Sequence, residues 1–224
     1  MQKVSLILSA ALLSAILSSF SFERSEQNSV AIKSSTDRKV KIGKQVWMID
    51  NLNVDKFRNG DPILHAQSAE EWINAGKNKQ PAWCYYANDS LNGAKYGKLY
   101  NWYAVIDPRG LAPKGWHVPS DSDWAALVQY LGGWWSAAYK MKSSSGWKDM
   151  GNGSNSSGFS GLPGGCRSSY DGHFNSIGEY GYWWSSTECN TVSAWTRHLF
   201  SAVNSVFRYN LKKEDGYSVR CLRD

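Results

Sequence analysis

Tyr182-Trp-Trp-Ser-Ser-Thr187, Ala194-Trp-Thr-Arg-His-Leu199, Ser205-Val-Phe-Arg-Tyr-Asn210 and Tyr217-Ser-Val-Arg-Cys-Leu222 follow one another at the C-terminal end of the chain. Each is a short run rich in aromatic and β-branched residues, and turn-forming residues separate them, so they read as short strands joined by turns. Immediately upstream, Gly, Ser and Asn dominate from Ser143 to Gly165, a loop composition. Before that loop the apolar period changes from two to 3.6. Trp124, Leu127, Val128 and Leu131 fall at i, i+3, i+4 and i+7 behind Pro119-Ser-Asp-Ser-Asp123. The acids suit the positive end of a helix dipole, and Gly132-Gly133 ends the run. Ser68 and Glu71 have capping-box spacing ahead of Trp72 and Ile73, which predicts another helix. Val40 and Ile42, then Val46 and Met48, alternate on either side of Gly43-Lys44, which predicts a hairpin. Few helices first and short twisted strands later make a single α+β domain over residues 39–224.

Composition narrows the function. The 224 residues suffice for one domain with a sizeable core, and twelve Trp and twelve Tyr are too many large rings for a disordered tail. The formal charge of +6 is modest, and no basic run exceeds Lys212-Lys213, so no nucleic-acid partner is expected. At the other end of the chain, Lys3 precedes an uncharged apolar stretch from Val4 to Phe22, with Ser19 and Ser21 near its end. This reads as a secretory signal peptide over residues 1–21, followed by a polar linker over 22–38. An uncleaved anchor is the alternative, because the stretch nearly reaches spanning length. No cysteine stands there to accept a lipid, and no other segment is long enough to enter a membrane. The expected location is periplasmic, on the outer-membrane surface, or extracellular.

The four cysteines, Cys84, Cys166, Cys189 and Cys221, permit disulfides in an exported chain, but spacing alone selects no pairing. No CxxC or His-rich spacing occurs, so neither a zinc site nor another metal or cofactor is expected.

Val46-Trp-Met-Ile-Asp-Asn-Leu-Asn53, Tyr96-Gly-Lys-Leu-Tyr-Asn-Trp-Tyr-Ala104, Ala112-Pro-Lys-Gly-Trp-His-Val-Pro-Ser-Asp121, Gly158-Phe-Ser-Gly-Leu-Pro-Gly-Gly165, Tyr182-Trp-Trp-Ser-Ser-Thr187 and Gly216-Tyr-Ser-Val-Arg-Cys221 occur in that order. Together they resemble the Fibrobacter succinogenes major paralogous domain family, from about residue 39 to the C-terminus. The resemblance implies an exported bacterial protein with a C-type lectin-like fold shared with formylglycine-generating-type domains. It also implies cysteines near Gly93 and Ala112 that this chain lacks, while Cys166 and Cys189 stand where other residue types are usual. The family's disulfides therefore cannot be carried over to this chain; the pairing expected is Cys84 with Cys221 and Cys166 with Cys189, with four free thiols as the alternative.

No catalytic constellation emerges. His117 reads as a loop-tying histidine, the Glu-Pro-Asn, Gln-Pro-Asp and Trp-Asn-Asp segments of calcium-dependent lectins are absent, and no enzyme is expected. Trp47, Trp102, Trp116, Trp124 and Trp183 are assigned to the core. From Trp195 onward the chain separates into two interleaved sets that strand geometry places on opposite faces. Trp195, Arg197, Leu199, Val206 and Arg208 fit the family frame; Thr196, His198, Phe200, Ala202, Phe207, Tyr209 and Leu211 are chemically miscellaneous. The second set resembles the variable segment of diversity-generating-retroelement target proteins. The resemblance implies that adenines in Asn-type codons are randomised, which excludes Lys, Glu, Gln, Met and Trp, and every member obeys that restriction. Ser168, Tyr170, His173, Tyr182 and Ser193 complete the expected ligand surface over about residues 166–211. The expected partner is a cell-surface protein or a polysaccharide. A carbohydrate-binding or structural envelope protein without diversification, and an enzyme related to formylglycine-generating domains, are the alternatives.

Overall fold

A computed structural model describes residues 38–224; the expected signal peptide, and the linker up to residue 37, lie outside the described residues. The elements run β1 (Lys39–Ile42), β2 (Gln45–Met48), β3 (Leu64–His65), α1 (Ala69–Lys77), β4 (Ala82–Cys84), α2 (Ser90–Tyr96), β5 (Leu99–Tyr100), α3 (Trp102–Val105), β6 (Trp116–His117), α4 (Asp121–Tyr130) and α5 (Ala137–Met141). They continue with β7 (Gly164–Arg167), β8 (Phe174–Ile177), β9 (Tyr180–Glu188), β10 (Ser193–Phe200), β11 (Val206–Lys212) and β12 (Leu222–Arg223). The architecture is mixed α+β, as expected. Among the described residues no helix is long and apolar enough to cross a membrane.

Local chemistry explains the elements that the sequence predicts. Gly43 turns the β1–β2 hairpin at φ +61°, in the left-handed region that glycine enters without cost. Ser68 and Glu71 close a capping box on α1, and Ser120 and Asp123 close another on α4. The stripe Trp124, Leu127, Val128 and Leu131 is buried.

Three sheets share the core. The chain ends of the domain meet in the sheet β1-β2-β12-β6; a small sheet has the order β3-β4-β5. The largest sheet has the order β11-β10-β9-β7-β8, antiparallel except where β7 meets β9. The adjacent Trp183 and Trp184 of β9 show how it is anchored. Strand alternation sends Trp183 into a cluster with Trp47, Trp124 and Phe159, and Trp184 into another with Met48, Trp102 and Tyr217.

Two expectations are corrected. Tyr217–Leu222 is not one strand: Tyr217 bridges to Tyr100, Ser218 to Trp183, and only Leu222–Arg223 pairs as a strand. The segment threads between sheets, so its apolar alternation reflects burial on all sides rather than one sheet face. All four cysteines are free thiols, so neither expected disulfide is formed. Cys84 and Cys221 are buried in different core clusters. Cys166 lies beside Tyr182 across the β7–β9 register, and Cys189 lies beyond the far end of β9. That is about 23 Å along the strand, whereas a disulfide needs Cα atoms within about 7 Å.

Candidate functional site

The family-like motifs converge in the interior. Asn51, from the first of them, accepts hydrogen bonds at Oδ1 from Trp183 Nε1 (2.9 Å) and from Arg220 Nε (3.0 Å) and Nη2 (2.7 Å). Its Nδ2 donates to the Tyr96 carbonyl at 2.8 Å. Arg220 also donates to the Phe159 carbonyl and lies over the Phe159 ring, 4.3 Å from its centroid. Burial pushes the Arg220 guanidinium down to about 9, and the Asp50 carboxylate opposes that shift only in part. Asn101 is a second tie, capping α3 and holding Ala82 N–H and the Gln80 carbonyl. These motif residues hold the scaffold, and Asn51, Asn101 and Arg220 are all buried.

The C-terminal strands differ on their two faces. Arg197, Leu199, Val206 and Arg208 face α4 and the core. Leu199 and Val206 pack with Trp124 and Trp183. Arg197 (2.7 Å) and Arg208 (3.0 Å) both bond the Asp121 carboxylate at the first turn of α4, and Arg208 stacks over Trp195. Burial would raise the Asp121 carboxyl, yet the guanidinia of Arg208 and Arg197 hold it below the ordinary range.

The opposite face carries a continuous row of rings. Phe200 stacks on Tyr180 (4.3 Å between centroids), Tyr180 on Tyr182 (5.3 Å), and Tyr182 meets His198 edge-on (4.5 Å). His198 leads to Tyr209 (5.2 Å) and Tyr209 to Phe207 (5.9 Å). The strand registers require this neighbourhood, because His198 pairs with Tyr182 and Phe207, Phe200 with Tyr180, and Thr196 with Tyr209. Gly181 is obligatory between the two tyrosines, since a Cβ there would stand 2.4 Å from the Trp183 ring.

The expected ligand residues therefore divide. Tyr182, Phe200, Phe207 and Tyr209 come together, with Ala202 exposed in the following turn and Leu211 half-buried on the same face. Thr196 (0% exposed) and His198 (5%) do not reach the surface, which corrects their assignment as ligand contacts. They lie under Tyr182, Tyr209 and Tyr217, where the inner part of the face becomes core. Ser193 is buried as well. Ser168, Tyr170 and His173 belong to a separate loop that Arg167 ties to α1 through the carbonyls of Ala66, Ser68 and Gly172. There Tyr170 is exposed, and His173 hydrogen bonds help hold the Asp171 carboxyl at about 2.

Tyr180, Trp134 and Trp135 escaped the sequence reading. Tyr180 shares strand parity with Tyr182 across Gly181, a detectable signal. Trp134-Trp135, directly behind the Gly132-Gly133 helix stop, cannot continue the α4 stripe and is exposed. His117 Nδ1 lies 2.7 Å from the Asp224 carboxylate, tying the C-terminus down. Among the described residues no group of three or more His, Cys, Asp or Glu side chains is placed to hold a metal ion.

The buried histidine gives a pH test. Thr196 Oγ1 lies 2.7 Å from His198 Nε2 and donates to the Tyr209 carbonyl at 2.9 Å. Burial, with Arg197 nearby, pushes the imidazole down to about 3. The unfolded chain therefore takes up a proton near pH 6.5 that the folded one refuses. Stability contributed by neutral His198 is complete above pH 6.5 and lost progressively as pH falls toward 3. Urea midpoints of the parent chain should decline more steeply between pH 6.5 and 4.5 than those of His198→Gln. Parallel declines would contradict a buried neutral imidazole.

The family model of the Fibrobacter succinogenes major domain matches residues 40–223. No curated protein and no solved structure is significantly similar to the chain. A match over so much of the sequence, with its shared motifs meeting in one interior, places the chain in a family: it belongs to the Fibrobacter succinogenes major domain family.

Proposed function

We propose that this is an exported or cell-surface ligand-binding protein that presents the outer half of its C-terminal sheet face on a fixed scaffold. The observation that carries the reading is the unequal use of the two faces. One locks Arg197 and Arg208 to Asp121, while the other offers Phe200, Tyr180, Phe207 and the half-exposed Tyr209 (50%) to solvent. Aromatic rings held by a sheet lose little entropy on binding and make effective anchors. The scaffold is assigned as C-type lectin-like from the family resemblance, and the few helices around short strands fit it. The ligand is a cell-surface protein or a polysaccharide, bound by shape and aromatic complementarity without catalysis.

Diversification by a retroelement is the sharper form of this proposal. Its support is that Phe200, Ala202, Phe207 and Tyr209 lie together on the open face, apart from the anchored frame set. A reverse-transcriptase gene with an adenine-rich near-copy of the 3′ coding segment beside this gene would support it; a locus lacking that template would exclude it. The binding proposal itself is tested by screening residues 39–224 against glycan and surface-protein panels. A saturable ligand displaced by changes at Phe200, Phe207 and Tyr209 is the expected result, and a ligand indifferent to them overturns the site.

A further inference from the structure

β11 is an edge strand of the largest sheet, and it is guarded differently from β1, the edge of another. β1 carries exposed Lys39 and Lys41, with Lys44 in its turn, the charges that discourage pairing with another chain. Along β11 the central charge is withdrawn. Arg208 folds back over Trp195, 3.2 Å from the ring centroid, and onto Asp121. Val206 N–H points away from β10 and donates to the Trp134 carbonyl at 2.8 Å, so the chain itself begins a neighbouring strand position. By alternation the backbone N–H and C=O groups of Arg208 and Asn210 face the same way, along an edge where no further strand follows among the described residues.

Side chains at the two ends of this edge differ in character. Trp134, Trp135, Phe207 and Tyr209 line a groove of about 320 Å³, and Trp135 is 85% exposed. At the other end Lys212 and Lys77 line a second groove of about 410 Å³ with Ile73 and Val192. Glu214 is also there, its carboxylate accepting from the Tyr103 hydroxyl at 3.1 Å. Tyr209 and Lys212 are three residues apart, about 10 Å in a strand.

We propose that the free edge of β11 binds an extended peptide segment of about five residues by strand addition. A large apolar side chain enters the Trp134–Trp135 groove and an acidic one faces Lys212 and Lys77. The edge backbone supplies sequence-independent hydrogen bonds, and the grooves select the side chains. The inference deepens the binding reading above, with which it shares Phe207 and Tyr209, but it uses the edge rather than the face.

The probe is an array of seven-residue peptides randomised at alternate positions, applied to the intact chain. Captured peptides should carry an aromatic and an acidic residue two to four positions apart. Asn210→Pro removes an outward N–H and no bond to β10, a substitution that edge strands accept. It should weaken capture at least tenfold, as should Trp135→Ala at its exposed site, while Asn210→Ala and Leu91→Ala, an exposed position on α2, leave capture unchanged. Equal capture by Asn210→Pro, or capture of oligosaccharides alone, overturns the proposal. Peptides lost with Phe200→Ala but kept by Asn210→Pro refute the edge and leave the face reading standing.

Discussion

Asn51→Leu is expected to remove about 3–5 kcal/mol of stability, the range for breaking a buried charged hydrogen-bond network by deleting one partner. The leucine fits the space but leaves the Arg220 guanidinium with the Phe159 carbonyl as its remaining oxygen, and strips Trp183 Nε1 and the Tyr96 carbonyl of their partner. An uncompensated buried cation is costlier than a lost neutral hydrogen bond. Domains of this size are typically stable by about 5–15 kcal/mol, so the variant should sit near its unfolding midpoint at modest urea concentration. Asn51→Asp restores a charged acceptor to Arg220 and loses the donor to Tyr96, so it should fall between the two. A urea midpoint for Asn51→Leu within error of the parent, at unchanged m value, would show that Asn51 does not organise the interior.

The second large effect concerns binding. Changing Phe200, Phe207 and Tyr209 together to Ala should weaken a ligand of the open face by at least about a hundredfold, since aromatic anchors commonly contribute 1–2 kcal/mol or more each. Stability should change far less than for Asn51→Leu, because Phe200 and Phe207 are partly exposed and Tyr209 half so. Calorimetric titration beside thermal unfolding separates the two quantities. Loss of binding together with collapse of the fold would place these rings in the core instead.

What was legible in the sequence was what local chemistry decides. The β1–β2 hairpin depends on Gly43, and α1 and α4 on capping boxes only four residues long, so each could be read without its surroundings. The long strands β9 to β11 announce themselves by alternation. The short helices α2, α3 and α5 span four to seven residues, less than two turns, and show no readable period. Tyr217–Arg220 misled because its backbone bonds go to distant partners: Tyr217 exchanges bonds with Tyr100, Ser218 bonds Tyr182 and Trp184, and Val219 accepts from Leu52.

The site was legible in one respect and not in another. Period two correctly separated Arg197, Leu199, Val206 and Arg208 from the ring-bearing face. It carries no information about depth along that face, so Thr196 and His198 were grouped with residues that reach solvent. Depth is set by Tyr182, Tyr209 and Tyr217, which close over the inner half, two of them contributed by other segments.

The division of β10 and β11 into a fixed face and an interchangeable one is tested most directly by saturating both and measuring folding alone. Each position from Arg197 to Leu211 would be varied to all residues and sorted by protease resistance on the cell surface. Phe200, Ala202, Phe207 and Tyr209 are expected to accept most substitutions, polar ones included, while Arg197, Leu199 and Val206 accept few. Equal intolerance on both faces, or a tolerant Arg197 and Leu199 beside an intolerant Phe200 and Tyr209, would contradict it.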